Sequence, residues 1–223
     1  MVTQYKNGDI APMPNDQTVF VVDDDQLARE SVCAFVESIG IPSESFPSAE
    51  DFLEARVQHR AGCLVTDVHM PGMGGLELQE RLIRQNTLLP IIVLTARIDV
   101  ALTVRAIQNG AVTVLEKTCQ SDELMDAIRT ALAQDANLRR KHEQHQEIGR
   151  RIERLTLQER DVMHSMIAGK TNRAIAQQLD IGLRTVELRR QRVFSKMGTN
   201  SLADLVRTTV QVMPECGMMA HGN

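Results

Sequence analysis

The chain has 223 residues, 43% of them hydrophobic, and a formal net charge of −4, which is long for one domain and comfortable for two. The charge is uneven: residues 1–138 hold 10 Lys and Arg against 20 Asp and Glu, whereas residues 139–223 hold 15 against 9, so a nucleic-acid partner is expected for the back half only. No apolar run approaches the roughly 18 residues of a membrane span, residues 1–16 lack the apolar middle of a signal peptide, and Cys33, Cys63, Cys119 and Cys216 show no metal-binding spacing. These features point to a soluble cytoplasmic protein with reduced cysteines.

Residues 1–16, with Gly8, Pro12 and Pro14 among polar residues, read as a disordered leader. Thr18–Val22 is a short apolar strand that ends in Asp23, Asp24 and Asp25. A helix follows over Gln26–Ile39, with Leu27, Val32, Phe35, Val36 and Ile39 at helical spacing and Gly40 as its stop. The alternation then repeats: a strand at Ser45–Phe46, a helix from Ser48 through Val57 with Ser48 as its cap, a strand at Cys63–Val65, and a helix at Leu76–Arg84. Further on come a strand at Ile91–Leu94, a helix at Val100–Gln108 closed by Gly110, a strand at Val112–Leu115 and a helix from Asp122. Five strands alternating with five helices predict a doubly wound parallel sheet.

Polar groups close several of these strands: Asp23 and Asp24 the first, Asp67 the third, Thr95 the fourth and Lys117 the fifth. In the flavodoxin-like strand order the first and third strands are neighbours, so three carboxylates share one crevice at the carboxyl edge of the sheet. Carboxylates that close repel one another unless a hard cation lies among them. The expected ligand is Mg²⁺, held by Asp24, Asp67 and, through water, Asp23, with coordination positions left for phosphoryl oxygens. Lys117 adds a point charge for those oxygens, and Thr95 a hydroxyl donor.

From Asp122 the helical pattern runs on, with Leu124, Ala131, Leu138, His145 and Ile152 recurring every seven residues. A coiled-coil stalk and a flexible amphipathic linker both fit this recurrence. His142, Glu143, His145 and Glu147 read as a solvated helix face. Leu155 and Thr156 open the basic half, where Thr156 and Glu159 form a capping box ahead of Val162, Met166 and Ile167. Gly169-Lys170-Thr171-Asn172 separates this helix from the next, whose apolar face is Ile175, Ala176 and Leu179. After the turn Asp180–Leu183, a basic helix over Arg184–Met197 turns Val186, Val193, Phe194 and Met197 inward and stops at Gly198. Two helices joined by a short turn, the second basic, predict a helix-turn-helix. A last helix over residues 201–212 carries Leu202, Leu205, Val206, Thr209 and Val210 on one face, and residues 214–223 read as a loose tail.

Val22-Asp23-Asp24, Thr66-Asp67-Val68-His69-Met70-Pro71-Gly72-Met73-Gly74-Gly75, Leu94-Thr95-Ala96 and Glu116-Lys117 together resemble the receiver domain of bacterial response regulators. Leu155-Thr156, Glu159-Arg160, Gly169-Lys170-Thr171-Asn172, Arg184-Thr185-Val186-Glu187 and Lys196-Met197 resemble the LuxR-type DNA-binding domain. In this order the two halves are similar to response regulators of the FixJ/NarL type. The fold the resemblance implies is a flavodoxin-like five-stranded receiver domain joined by a long helix to an all-α helix-turn-helix domain. The expected boundaries are 17–137 for the receiver, 138–153 for the linker and 154–213 for the DNA-binding domain.

The resemblance implies that Asp67 takes a phosphoryl group from a sensor histidine kinase, with Mg²⁺ on Asp23, Asp24, Asp67 and the main-chain carbonyl of His69, and with Thr95 and Lys117 completing the site. It implies a homodimer on activation that binds double-stranded DNA. Base contacts fall at Glu187, Leu188 and Gln191, and phosphate contacts at Lys170, Thr171, Arg189, Arg190 and Arg192; Arg184 and Thr185 complete the expected DNA-binding set. Two positions depart from the family pattern. Thr118 stands where a cis proline usually follows the lysine, and a non-proline cis bond costs roughly 3 kcal/mol, so the Lys117 loop is expected to be strained or differently placed. Val114 stands where the family usually has a switching aromatic.

Two rival functions share these residues. A regulator that binds DNA without phosphorylation is motivated by Thr118 and Val114, and an Mg²⁺-dependent phosphohydrolase would also use an acid cluster with a lysine and a threonine. The attached DNA-binding half and the absence of a substrate-covering insertion weigh against the phosphohydrolase.

Overall fold

Five short apolar runs with Gly, Pro or acidic borders become the strands of one parallel sheet. The computed structural model describes residues 17–210, so the expected leader over 1–16 and tail over 214–223, Cys216 included, lie outside the described residues. The strands are β1 (Thr18–Val22), β2 (Ser43–Phe46), β3 (Gly62–Asp67), β4 (Ile91–Thr95) and β5 (Thr113–Glu116), in the order β2-β1-β3-β4-β5. Between them run α1 (Gln26–Ser38), α2 (Ala49–Glu54), α3 (Gly75–Arg84) and α4 (Val100–Gln108), and α5 (Ser121–Glu153) follows β5. This is the expected doubly wound sheet, with β1 beside β3 and Val22 paired to Thr66.

Strand side chains alternate between the faces, and that alternation builds two cores. Phe20, Leu64 and Val93 pack with Phe52, Leu78 and Leu82 of α2 and α3 on one side. Val19, Val21, Cys63, Val65 and Ile92 pack with Val36 of α1 and with Leu124, Ile128, Ala131 and Leu132 of α5 on the other. Cys63 is fully buried; burial, and secondarily the charge of Asp135, push its thiol pKa far up, so it stays protonated. Cys33, Cys63 and Cys119 are all free thiols.

Three expectations are corrected. The helix expected from Ser48 through Val57 ends at Glu54, because Arg56 adopts a left-handed conformation (φ 53°) and a separate 3-10 turn, Val57–His59, buries Val57 in the core. Such a backbone costs a non-glycine residue roughly 1–2 kcal/mol, here set against a buried valine. Leu27 is 76% exposed and contributes nothing to the packed face of α1. The seven-residue recurrence along α5 is used by two separate cores: Leu124 and Ala131 are buried against the sheet, Ile152 packs in the C-terminal core, and His145 between them is exposed. The expected linker stretch is helical throughout to Glu153.

Contacts divide the chain into two compact units at Arg139/Arg140. In the second, the C-terminal turns of α5 contribute Ile148 and Ile152 to a core with α6 (Leu157–Ile167), α7 (Asn172–Gln178), α8 (Leu183–Met197) and α9 (Leu202–Val210). The capping box forms as expected: Thr156 Oγ1 accepts from Glu159 N, and Glu159 Oε2 accepts from Thr156 N at 2.9 Å. Gly198 ends α8 in the left-handed conformation (φ 66°) that a helix terminus requires. On α9, Leu205 and Thr209 are buried, but Leu202 and Val210 are exposed, so the expected apolar face is only partly used within this unit.

The turn after β3 shows why two glycines follow the acid. Gly75 N donates to Val68 O, and a Cβ on Gly75 would lie 2.0 Å from the Asp67 carbonyl oxygen. Gly75→Ala is therefore expected to push the Asp67 turn outward and destabilise the first unit by roughly 1–3 kcal/mol, measurable as a lower urea midpoint with an unchanged m-value.

Candidate functional site

Because β1 and β3 are adjacent and in register, Asp23 and Asp67 emerge side by side at the carboxyl edge of the sheet. One carboxylate oxygen of each is committed locally: Asp23 Oδ1 accepts from Asp25 N at 2.9 Å, and Asp67 Oδ1 from Val68 N at 2.7 Å. The remaining oxygens converge on Lys117 Nζ, 2.6 Å from Asp23 Oδ2 and 3.0 Å from Asp67 Oδ2. Asp23 and Asp67 are buried, and the exposed Asp24 completes a triad whose ligand atoms all lie within 4.8 Å of one another. Asp25, the third acid of the run, instead caps α1 by accepting from Leu27 N and Ala28 N.

Burial by itself would lower the Lys117 pKa. The hydrogen bonds and negative charges of Asp23 and Asp67 outweigh it and hold the ammonium above its ordinary value. Lys117 is positioned from its own backbone, since its N–H donates to the Thr95 carbonyl at 2.8 Å. The Thr95 hydroxyl is buried and donates to Arg97 O at 2.9 Å, so its hydrogen bond stays within the β4–α4 loop and does not reach Asp67. His69 is exposed on the loop beyond Asp67. Three carboxylates with no soft donor suit a hard oxygen-seeking cation such as Mg²⁺.

In the second unit, α7 and α8 are joined by a turn through Asp180 (φ 51°). Gly182 caps α8 without a side-chain hydrogen bond. Arg184, Glu187, Leu188, Gln191 and Arg192 are exposed along α8, and Leu188, an apolar residue on a basic helix, is 47% exposed. Arg189 and Arg190 are held at the sides: Arg189 donates to Gln158 Oε1 at 2.5 Å, and the Arg190 guanidinium lies 5.9 Å from the Phe194 ring centre. Thr185 is half-buried, Lys170 Nζ donates to Gln178 Oε1, and the Thr171 hydroxyl caps α7.

A family model described as the response regulator receiver domain matches residues 19–129, and one described as bacterial regulatory proteins, luxR family, matches residues 153–209. The transcriptional regulatory protein FixJ of Azorhizobium caulinodans is 40% identical over 195 residues, covering 87% of this chain and 92% of that protein. The chain belongs to the FixJ-type response regulators. Among solved structures, the response regulator StyR is similar with a TM-score of 0.79 at 39% identity, covering 87% of this chain and 98% of that one. Full-length FixJ from B. japonicum is similar with a TM-score of 0.54 at 37% identity, covering 89% and 98%. As a response regulator of this type the chain is a regulator of transcription and not an enzyme. Among the described residues no helix is long and apolar enough to cross a membrane.

Thr118 and Val114 can now be located in this response regulator. The peptide bonds among the described residues are all trans, Lys117–Thr118 included, and Lys117 still reaches both carboxylates. Val114 is half-buried against the core of the α2–α3 side. Arg29 gave no sequence signal, and the Lys196-Met197 match did not say what Lys196 would bind. Arg29 reaches back from α1 to donate to the Asp23 carbonyl at 2.6 Å, and Lys196 donates to Glu159 Oε2 at 2.6 Å.

The Lys196 hydrogen bond holds the Glu159 carboxyl below its ordinary range against the opposing effect of burial, and the Thr156 N–H assists. A depressed carboxyl pKa stabilises the fold above the unfolded value, about 4.3, and that contribution is lost as the pH falls through the folded value. Protection of α6 amides from hydrogen exchange is therefore expected to drop below about pH 4.3 in the native chain. In Glu159→Gln it should begin lower, by about 1 kcal/mol at neutral pH, and lose this acid dependence.

Proposed function

We propose that Asp67 accepts a phosphoryl group from the phosphohistidine of a sensor histidine kinase, and that this modification alters dimerisation and binding of the LuxR-type unit to operator DNA. The observation that carries the reading is the Asp67 carboxylate at the tip of β3, 3.0 Å from Lys117 Nζ and inside an acid triad spanning at most 4.8 Å. In the transfer an Asp67 oxygen attacks phosphorus, the P–N bond breaks, and its electron pair returns to the imidazole nitrogen. Asp23, Asp24, Asp67 and the His69 carbonyl would hold Mg²⁺, which when bound supplies positive charge to the transferring oxygens. Lys117, now paired with both carboxylates, is within reach to follow the charge onto the phosphoryl group, and the Thr95 hydroxyl can exchange Arg97 O for a phosphoryl oxygen.

The working boundaries are 17–137 for the receiver, 138–153 for the connector and 154–213 for the DNA-binding domain, in a cytoplasmic protein. Sedimentation velocity with and without Mg²⁺ plus beryllofluoride tests the phosphoacceptor role. The native chain is expected to shift from monomer to dimer and Asp67→Asn to stay monomeric; a native chain that binds DNA without any shift would instead favour the phosphorylation-independent regulator.

On DNA, the exposed strip of Glu187, Leu188 and Gln191 supports base reading, with Arg184, Arg192, Lys170 and Thr171 meeting phosphates. Arg189 and Arg190, braced by Gln158 and Phe194, meet phosphates at the groove walls. Arg192→Gln is expected to weaken binding to all duplexes alike and to reduce the log–log salt slope by about 1. Gln191→Ala should change which sequences are enriched from a random duplex pool while keeping that slope.

A further inference from the structure

The roots of the strands that carry the acid triad are held by one buried carboxylate that the site chemistry does not use. Asp135 of α5 is fully buried. Its Oδ2 accepts from Gly62 N, the first residue of β3, at 3.0 Å, and from Gln17 Nε2, the residue before β1, at 3.1 Å. Its Oδ1 accepts from Arg139 Nε at 2.7 Å, and the same guanidinium donates to the carbonyls of His59 and Arg60 in the loop that feeds β3. Gln17 Nε2 also donates to the Leu132 carbonyl on α5. A buried carboxylate left without partners is strongly destabilising, so this full set of donors makes the cluster a rigid point in the first unit.

We infer that Asp135, with Arg139 balancing its charge, is a positioning residue for the acid triad, because one of its oxygens bridges the roots of β1 and β3 and so sets how far each strand tip projects. The inference rests on the phosphoacceptor reading of that triad. The two strands pair without a bulge from Thr18↔Gly62 to Val22↔Thr66, so a displacement of one root along the strand axis carries through to Asp23 and Asp24 relative to Asp67. Mg²⁺ accepts little deviation from its octahedral oxygen geometry, which makes its affinity a sensitive reporter of that displacement. Gly62 is suited to the contact: its φ is +148°, and a Cβ there would lie 1.8 Å from the Thr18 carbonyl oxygen, so the root of β3 lies tight against β1.

The test measures Mg²⁺ affinity by calorimetry on the full chain, alongside thermal melting. Gln17→Met removes the arm to β1 while keeping side-chain length and leaving Asp135 with Gly62 and Arg139. Ile128→Val serves as the comparison, since it loses core packing from the same helix without touching the cluster. Gln17→Met is expected to bind Mg²⁺ about tenfold more weakly, at the low end of what removal of an outer orienting residue does to a metal site, while Ile128→Val binds as the native chain does. Equal weakening in both variants would mean that affinity merely follows stability, and native affinity in Gln17→Met would mean that the roots do not govern the tips. Either result overturns the inference and leaves the phosphoacceptor reading standing. A native chain that binds no Mg²⁺ would overturn the reading of the triad, and this inference with it.

Discussion

Three carboxylates crowded onto the tips of two neighbouring parallel strands are the constraint around which the first unit is arranged. Like charges at this spacing repel, and water cannot screen them well where Asp23 and Asp67 are buried. The fold meets the repulsion locally: main-chain N–H groups of Asp25 and Val68 take one oxygen of each buried acid, and Lys117 takes the other. The site is consequently polarised before any ligand arrives, and incoming positive charge or phosphoryl oxygens compete with contacts already made. A lysine shared between two acids is also free to change partners, which a pair sealed off from solvent is not.

Glycine and main-chain geometry do as much for this site as its charged groups. The Asp67 turn closes only because Gly75 leaves room for the Asp67 carbonyl, and Glu50 of α2 accepts from Met73 N to hold the loop between them. At the opposite edge of the sheet, Gly62 allows the equally close approach of Thr18. Backbone packing thus narrows where both ends of β3 can lie, and the side chains of Asp67 and Asp135 act within that range.

The second unit uses charge differently. Glu159 belongs to the capping box of α6 and, through Lys196, to α8, so one carboxylate joins a local helix start to the basic helix of the unit. Arg189 and Arg190 are braced by Gln158 and Phe194, whereas Arg184, Glu187, Leu188, Gln191 and Arg192 are among the exposed residues of α8. This divides a helix rich in arginine into braced flanks and a central strip of mixed chemistry.

The strand and helix alternation, the acids closing β1 and β3, the capping box and the basic helix are all legible in the chain, because each depends on periodicity or on residues a few positions apart. The amino-acid sequence by itself determined the two kinds of domain and pointed to where Asp23, Asp24, Asp67 and Lys117 would meet, since the alternation gives a doubly wound sheet, the flavodoxin-like order that the motifs resemble makes β1 and β3 neighbours, and the sheet edge follows from strand direction. Only the tertiary structure decided which groups those residues engage. Thr95 bonds to Arg97, Arg29 steadies Asp23, and Asp135 reaches Gly62 and Gln17 across more than 70 positions of sequence; the α5 heptads turned out to serve two cores. Contacts of that range carry no periodic trace, because the side chains are brought together by packing against the sheet and not by the local geometry of any one element.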